Sequence, residues 1–137
     1  NLTEASLLTG LPYRTEYDEA YIREMLQALA KLGPRYVALT GVSFEKGRLG
    51  VMYYDREKNE YGSYFAEHLP ASFHGTGDVF ASTCVGALMR GLPLGDALAL
   101  AADYTVECIR LTLASPEAKW YGVEFESAIP YLVGRLS

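Results

Sequence analysis

Residues 73–81 have the sequence Phe-His-Gly-Thr-Gly-Asp-Val-Phe-Ala, and an apolar segment follows them as far as Met89. Small residues alternate with large ones in that segment, which predicts a helix that is buried on most sides and packs closely against a sheet. Gly75 and Gly77 lie at the predicted start of this helix, where glycine lets the backbone turn sharply and lets a ligand approach the N–H groups. The unpaired N–H groups of a first helical turn and the helix dipole favour an anion. The stretch therefore predicts a site for a phosphate, or for a phosphoryl group in its transition state.

Asp78 has two interpretations in this setting. An aspartate at the N-cap or in the first turn stabilises a helix by roughly 1 kcal/mol. A carboxylate beside an anion site is also suited to act as a general base that takes a proton from an attacking hydroxyl. The motif Gly-Thr-Gly-Asp does not decide between them, because helix starts are rich in such residues.

Two helices are predicted in the first quarter of the chain. Residues 1–10 form a short helix that has a polar start and a glycine stop. Residues 15–18 resemble a capping box, and apolar residues then recur at helical spacing until Gly33 and Pro34 end the second helix. This second helix is expected to bury one face.

The middle of the chain predicts strands. Residues 35–41 form a short apolar run after a helix and a Gly-Pro pair, which indicates a buried parallel strand. Residues 49–54 and 61–66 are strand-like runs joined by a polar segment, which predicts a hairpin.

Helices dominate the remainder. A second buried helix is predicted over residues 94–113, a loop over 115–122, and a short terminal helix over 127–136. The order of helices, strand, hairpin and helices predicts an α/β layered domain with buried C-terminal helices.

The composition restricts the class of protein. The chain has a net charge of −5 and lacks a run of Lys or Arg, so it is a poor candidate for binding nucleic acid. Cys84 and Cys108 lie in apolar helical runs, which indicates buried free thiols. Charged residues interrupt every long apolar stretch, so no membrane span and a cytoplasmic location are expected.

The quoted stretch resembles the C-terminal signature of the ribokinase-like kinases. Asn1-Leu2-Thr3-Glu4 resembles the Asn-x-x-Glu motif of that superfamily, in the wording typical of its pyridoxal kinases. Residues 37–41 resemble the strand and turn that precede its nucleotide site. The three elements occur in the family's order, and the chain is identified as similar to the pyridoxal/pyridoxamine kinases. The resemblance implies part of a three-layer α/β/α sandwich.

The resemblance also implies roles for the motif. Asp78 would deprotonate the hydroxymethyl group of pyridoxal, pyridoxine or pyridoxamine, and the oxygen would attack the γ-phosphorus of ATP. The backbone of Gly75, Thr76 and Gly77 would form the anion hole for the transferred phosphoryl group.

Other implied roles concern the nucleotide and its metal. Glu4, helped by Asn1, would place Mg²⁺ largely through water, since Mg²⁺ prefers oxygen ligands and keeps several waters. A simple helix start is the structural alternative for this pair. The adenine would lie near the helix around residues 102–106, and a monovalent cation could assist. The resemblance assigns nucleotide binding to Asn1, Thr40, Gly41 and Val106.

Departures from the family pattern bear on the substrate. Thr76 stands where many sugar kinases have Ala, which favours a B6 vitamer over a sugar. His74 stands where some relatives have Cys, so a thiol would not contribute to this anion hole. The alternatives are a hydroxymethylpyrimidine or sugar kinase, a non-catalytic nucleotide- or anion-binding module, or an assembly domain.

The extent of the resemblance predicts an incomplete kinase. The chain begins with Asn in place of an initiating Met, and family members are much longer. Residues 1–137 are therefore expected to be the C-terminal, nucleotide-binding half of a single ribokinase-like domain, without its N-terminal half. Such a segment is expected to be inactive alone, and its parent protein is expected to be a homodimer.

Overall fold

The computed structural model describes residues 1–115, 117 and 122–137. The chain divides into two units, Asn1–Phe65 and Ala66–Ser137. Most of the loop predicted over residues 115–122 lies outside the described residues.

Two helices and a three-stranded sheet form the first part of the chain. The helices are α1 (Leu2–Thr9) and α2 (Glu19–Ala30), and the strands are β1 (Tyr36–Val42), β2 (Arg48–Asp55) and β3 (Glu60–Glu67). The strands have the order β1-β2-β3, so the predicted hairpin of β2 and β3 is confirmed. β1 pairs antiparallel with β2, and the prediction of a parallel strand is wrong for this pairing. The reason lies in the side-chain pattern, because β1 alternates buried and exposed residues as a strand with one covered face does.

Both helices begin at side-chain caps. The Asn1 side-chain oxygen accepts a hydrogen bond from the N–H of Glu4 at 3.0 Å, and Asp18 accepts one from the N–H of Tyr21 at 2.9 Å. Asp18 is therefore the N-cap of α2, and the capping box predicted to begin at Thr15 is wrong. The Asp18 side chain offers an oxygen acceptor for the helix N–H groups, as a Thr hydroxyl would. Asp18 also directly precedes the first helical residue, Glu19.

The core of the first unit lies between α2 and one face of the sheet. Ile22, Met25 and Leu26 of α2 are fully buried. They share a cluster with Leu39 of β1 and Met52 of β2, which face each other across the strand pair. Burial of each such side chain stabilises the unit by roughly 1.5–3 kcal/mol, so this cluster fixes the sheet on α2.

Helices alone form the regular structure of the second unit. These are α3 (Thr76–Met89), α4 (Leu94–Ala114), a 3₁₀ turn (Glu126–Ala128) and α5 (Ile129–Leu136). The predicted burial of α4 is confirmed by eight buried residues: Ala97, Leu98, Leu100, Ala101, Ala102, Tyr104, Cys108 and Thr112.

α3 is less buried than predicted. Its buried residues are Thr83 and Ala87, while Val85 and Met89 are 59% and 82% exposed. α3 packs against α4, and contact with a single helix buries one stripe of a helix and leaves its other sides open. The prediction of a helix buried on most sides is therefore wrong for α3.

Both cysteines are free thiols, and the prediction that they are buried is confirmed for Cys108 and not for Cys84. Cys108 is buried and Cys84 is half-buried, and burial raises the pKa of both, that of Cys108 to about 11. Among the described helices, none combines the length and the apolar character that crossing a lipid bilayer requires.

Candidate active site

The Gly-Thr-Gly-Asp motif forms the start of α3. Gly75 is the N-cap and has a left-handed backbone with φ 90°, and its carbonyl accepts the first helical hydrogen bond from Val79 at 3.0 Å. A residue with a Cβ is strained in this conformation, which explains the glycine. Unlike α1 and α2, this helix has no side-chain cap, so the first-turn N–H groups at Thr76 and Gly77 keep their capacity to bind an anion.

Asp78 lies inside the first turn of α3, and its side chain is exposed. The structural interpretation is therefore observed in its first-turn form, in which the acid interacts favourably with the helix dipole, since the N-cap is Gly75. An exposed carboxylate within one turn of uncapped N–H groups is also accessible to a substrate hydroxyl. The geometry is thus compatible with a general base beside an anion site.

The loop before the motif is held by local contacts. The Thr76 hydroxyl donates to the carbonyl of Phe73 at 3.3 Å, and the Phe73 ring packs on a buried cluster that includes Tyr104 and Cys108. The His74 side chain is exposed, while its carbonyl accepts a 3.0 Å hydrogen bond from the N–H of Val123. The backbone entering the helix is therefore fixed on both sides of His74.

Residues 122–128, called the return segment, supply that last contact, which the sequence analysis did not predict. Two buried hydroxyls of α4 hold the segment: Thr112 accepts from the N–H of Glu124 at 2.9 Å, and Tyr104 donates to the carbonyl of Phe125 at 2.8 Å. The residues are far apart in sequence, so local periodicity could not predict the contacts. The available signal was a Thr and a Tyr on the apolar face of α4, because buried hydroxyls require partners.

Burial raises the pKa of the ionisable groups that lie against the return segment. Desolvation raises the pKa of Tyr104 to about 12, and the neighbouring Cys108 adds to the shift. Both groups are therefore neutral near pH 7 and act as packing and hydrogen-bonding groups. Val106, assigned to adenine binding by resemblance, lies half-buried on the same helix.

The first unit holds the remaining predicted residues, beginning with Asn1 and Glu4. They form a complete capping box, in which the Asn1 side chain accepts from the N–H of Glu4 and the Glu4 carboxylate accepts from the backbone nitrogen of Asn1 at 2.8 Å. The helix-start interpretation is thus observed, and the metal-binding role stays a prediction.

Thr40 and Gly41 lie at an irregularity of β1. Thr40 pairs with Val51, and the register then shifts so that Val42 pairs with Gly50, which leaves Gly41 as a bulge with φ 73°. A glycine in the left-handed region is the usual requirement of such a bulge, and bulges are frequent beside active sites. Gly41 is thus the unpaired residue of the bulge, and it interrupts the regular ladder near the end of β1.

The predicted residues thus fall into two sets, one in each unit. The second unit contains the contiguous Gly75, Thr76, Gly77 and Asp78, together with Val106, and the first contains Asn1, Glu4, Thr40 and Gly41. Among residues 1–115, 117 and 122–137, no group of three or more His, Cys, Asp or Glu side chains is arranged to hold a metal ion. The exposed carboxylate of Glu4 offers oxygen donors, which fit Mg²⁺ held mainly through water.

Comparison with known proteins supports one family. The model of the phosphomethylpyrimidine kinase family matches residues 1–121. The bifunctional thiamine biosynthesis protein ThiED of Geobacter sulfurreducens is 34% identical over 127 residues, which cover 89% of this chain and 24% of ThiED.

Solved structures agree in fold. A Bacteroides thetaiotaomicron protein provisionally named a phosphomethylpyrimidine kinase superposes with a TM-score of 0.90 at 32% identity, over 96% of this chain and 46% of its own. The pyridoxal kinase of Lactobacillus plantarum superposes with a TM-score of 0.85 at 29% identity, over 98% of this chain and 48% of its own. The fold is thus the mixed α/β fold of the ribokinase-like kinases, as predicted. The chain spans less than half the length of these relatives, and it belongs to the phosphomethylpyrimidine kinase family.

Proposed function

We propose that residues 1–137 are the C-terminal, nucleotide-binding half of an ATP-dependent kinase that phosphorylates the hydroxymethyl group of a B6 vitamer. One observation carries the proposal: the exposed carboxylate of Asp78 lies in the first turn of a helix whose N–H groups have no side-chain cap. Binding a phosphate needs no carboxylate at this place, and its negative charge weakens anion binding. The pair of features therefore favours phosphoryl transfer over anion binding alone.

The reaction transfers a proton and a phosphoryl group at this site. Asp78 takes the proton from the hydroxymethyl oxygen as that oxygen bonds to the γ-phosphorus of ATP. The bond from the γ-phosphorus to the bridging oxygen breaks, and ADP leaves. The backbone N–H groups of Gly75, Thr76 and Gly77 stabilise the charge on the transferred group.

The nucleotide is proposed to lie along Asn1, Thr40 and Gly41, with its adenine near Val106. Mg²⁺ supplies charge neutralisation of the phosphates when it is bound, and Glu4 would hold it through water. The Gly41 bulge suits this role because it exposes backbone groups at the end of β1.

Two observations bear on the substrate. The Bacteroides thetaiotaomicron relative was crystallised with pyridoxal, and it matches with a TM-score of 0.87 at 32% identity. The match to the phosphomethylpyrimidine kinase model and to ThiED favours a second candidate, a hydroxymethylpyrimidine or its phosphate. Pyridoxal and hydroxymethylpyrimidine each present a hydroxymethyl group on a nitrogen heteroaromatic ring, so the same base and anion hole serve either, whereas the pyrimidine phosphate would accept the phosphoryl group on a phosphate oxygen.

A competition assay distinguishes the candidates. The full-length protein that contains this chain is incubated with Mg²⁺, ATP whose γ-phosphoryl oxygens are isotopically labelled, and equal concentrations of pyridoxal, hydroxymethylpyrimidine, its phosphate, and ribose. Products that carry the labelled phosphoryl group are quantified by mass spectrometry. Labelled pyridoxal 5′-phosphate as the main product supports the proposal. The labelled pyrimidine ester, or the pyrimidine diphosphate formed from the phosphate, supports the second candidate. ATP binding without any ester would identify a non-catalytic nucleotide-binding module.

Further expectations belong to the full-length protein. We expect a homodimer by light scattering, and we expect residues 1–137 alone to show little or no turnover. Comparing potassium with tetramethylammonium in the assay buffer tests whether a monovalent cation assists.

A further inference from the structure

We infer that Thr112 and Tyr104 are positioning residues for the Asp78 site and that they act through the return segment. The inference rests on the proposed kinase function. It concerns two hydroxyls on α4, neither of which belongs to the Gly-Thr-Gly-Asp motif.

The first step of the argument is the anchoring of the return segment on α4. Thr112 is 1% exposed, and its hydroxyl donates to the carbonyl of Cys108 at 2.7 Å while it accepts from the N–H of Glu124 at 2.9 Å. Tyr104 is 3% exposed, and its hydroxyl donates to the carbonyl of Phe125 at 2.8 Å. Two successive residues of the segment are therefore fixed by buried hydroxyls.

The second step is the link from the segment to the motif. The N–H of Val123, the residue before Glu124, donates to the carbonyl of His74 at 3.0 Å. His74 directly precedes Gly75, whose left-handed backbone begins α3. Two adjacent residues of the return segment thus make hydrogen bonds to different elements. Glu124 bonds to α4, and Val123 bonds to the loop before the anion hole.

Apolar packing strengthens the same link. Val123 lies in one buried cluster with Tyr104 and Cys108, and the ring of Phe73 packs on that cluster. A Cβ at Gly75 would lie 3.9 Å from a methyl carbon of Val123, so the segment is in contact range of the N-cap itself. A displaced return segment would therefore displace the backbone on which the anion hole depends.

Chemistry explains why the hydroxyls matter beyond packing. Valine has nearly the shape of threonine and would fill the buried position, but it would leave the Glu124 N–H without its acceptor. The segment would relieve that loss by moving, and a shift of about 1 Å in positioned groups is enough to lower a reaction rate by about 100-fold. Because ground-state contacts with ATP are spread over more residues than the anion hole, the expected loss is in kcat rather than in KM.

The test compares four variants of the full-length protein. Thr112→Val and Tyr104→Phe should lower kcat by about 10- to 100-fold with KM for ATP changed less than about three-fold. Thr112→Ser keeps the hydroxyl and should restore kcat to within about two-fold of wild type. Thr105→Val is the matched control, because Thr105 also donates to a carbonyl one turn back on α4, that of Ala101 at 2.7 Å.

A second measurement does not depend on activity. Amide hydrogen exchange should show faster exchange at Val123 and Glu124 in Thr112→Val, and the amide chemical shifts of residues 75–77 should move, while Thr105→Val leaves both unchanged. Unchanged shifts at residues 75–77, wild-type kcat in Thr112→Val, or an equal loss of kcat in Thr105→Val would overturn the inference. If wild-type protein itself makes no ester, the proposed function fails, and the exchange and shift data still decide whether the two hydroxyls position the motif.

Discussion

The hydroxyl oxygen of Tyr17 accepts a 2.9 Å hydrogen bond from the backbone N–H of Ser43. Tyr17 precedes α2, and Ser43 is the first residue after β1, so the bond ties the start of a helix to the end of a strand. The Tyr17 ring also packs edge-on against Phe44 at 5.8 Å. The end of β1 that contains the Gly41 bulge is therefore held by one side chain from 26 residues away.

Removal of the Tyr17 hydroxyl should loosen this end of β1. Tyr17→Phe leaves the Ser43 N–H without its acceptor and should reduce the free energy of unfolding by about 1 kcal/mol, as measured by urea denaturation. If Thr40 and Gly41 bind the nucleotide, KM for ATP should rise as well. Tyr13→Phe, at a position 55% exposed, is the control and should change neither quantity. If Tyr17→Phe were as stable as wild type, water would replace the Tyr17 hydroxyl as the acceptor for the Ser43 N–H at no loss of free energy.

Asp78→Asn should separate catalysis from helix stability. Loss of the general base should lower kcat by about 10²- to 10⁴-fold, because the amide accepts no proton. Loss of one first-turn charge should cost the helix only about 0.3–1 kcal/mol. Asp96→Asn removes the corresponding acid from the first turn of α4 and should match that stability change at full activity. Tighter ATP binding with unchanged turnover in Asp78→Asn would exclude the base role.

Two glycine-to-alanine substitutions should change the free energy of unfolding in opposite directions. Gly41→Ala forces a side chain into a backbone with φ 73° and should destabilise the protein by about 1–2 kcal/mol, although a Cβ there has open space. Gly86→Ala lies within α3, where a Cβ also has open space, and should stabilise by about 0.5–1 kcal/mol. Thermal unfolding of both variants measures the difference. Equal effects would mean that the bulge relaxes when its glycine is replaced.

The ion pair of Arg35 and Asp55 should make stability depend on acid pH. Hydrogen bonding to the Arg35 guanidinium, at 3.2 Å, lowers the pKa of Asp55 in the folded protein. A lowered folded-state pKa gives a contribution that is complete above the unfolded-state pKa of about 3.9 and is lost as the pH falls through the folded value. Asp55→Asn should flatten this acid limb in urea denaturation between pH 5 and pH 2, whereas the exposed-site control Glu24→Gln should keep it. If the loss of stability at acid pH were the same in Asp55→Asn as in wild type, other carboxylates would be its cause.

Local sequence patterns predicted the helices and the hairpin because each of these elements depends on neighbours in sequence. α1 ends at Gly10 in the left-handed conformation, and β2 and β3 flank the polar segment that was expected to join them. The motif at α3 was recognisable because Gly75, Thr76, Gly77 and Asp78 are contiguous.

Contacts between distant residues escaped prediction. The pairing direction of β1 depends on which strand it meets, and the Gly41 bulge depends on the register of that pairing. The bond from Val123 to His74 joins two loops, where hydrophobic periodicity gives no signal. The exposure of Val85 and Met89 on α3 likewise depends on what packs against the helix, which apolar character alone does not determine.

β1 is the end strand of the sheet formed by the described residues, and its outer edge offers backbone donors and acceptors to a further strand. Its sequence, Tyr-Val-Ala-Leu-Thr-Gly-Val, contains no charged residue and no proline. Segments of that composition readily pair with copies of themselves, and a single lysine in the edge would oppose such pairing. Concentrated preparations of these 137 residues should therefore be prone to strand-mediated aggregation, with Tyr36–Val42 as the nucleating segment.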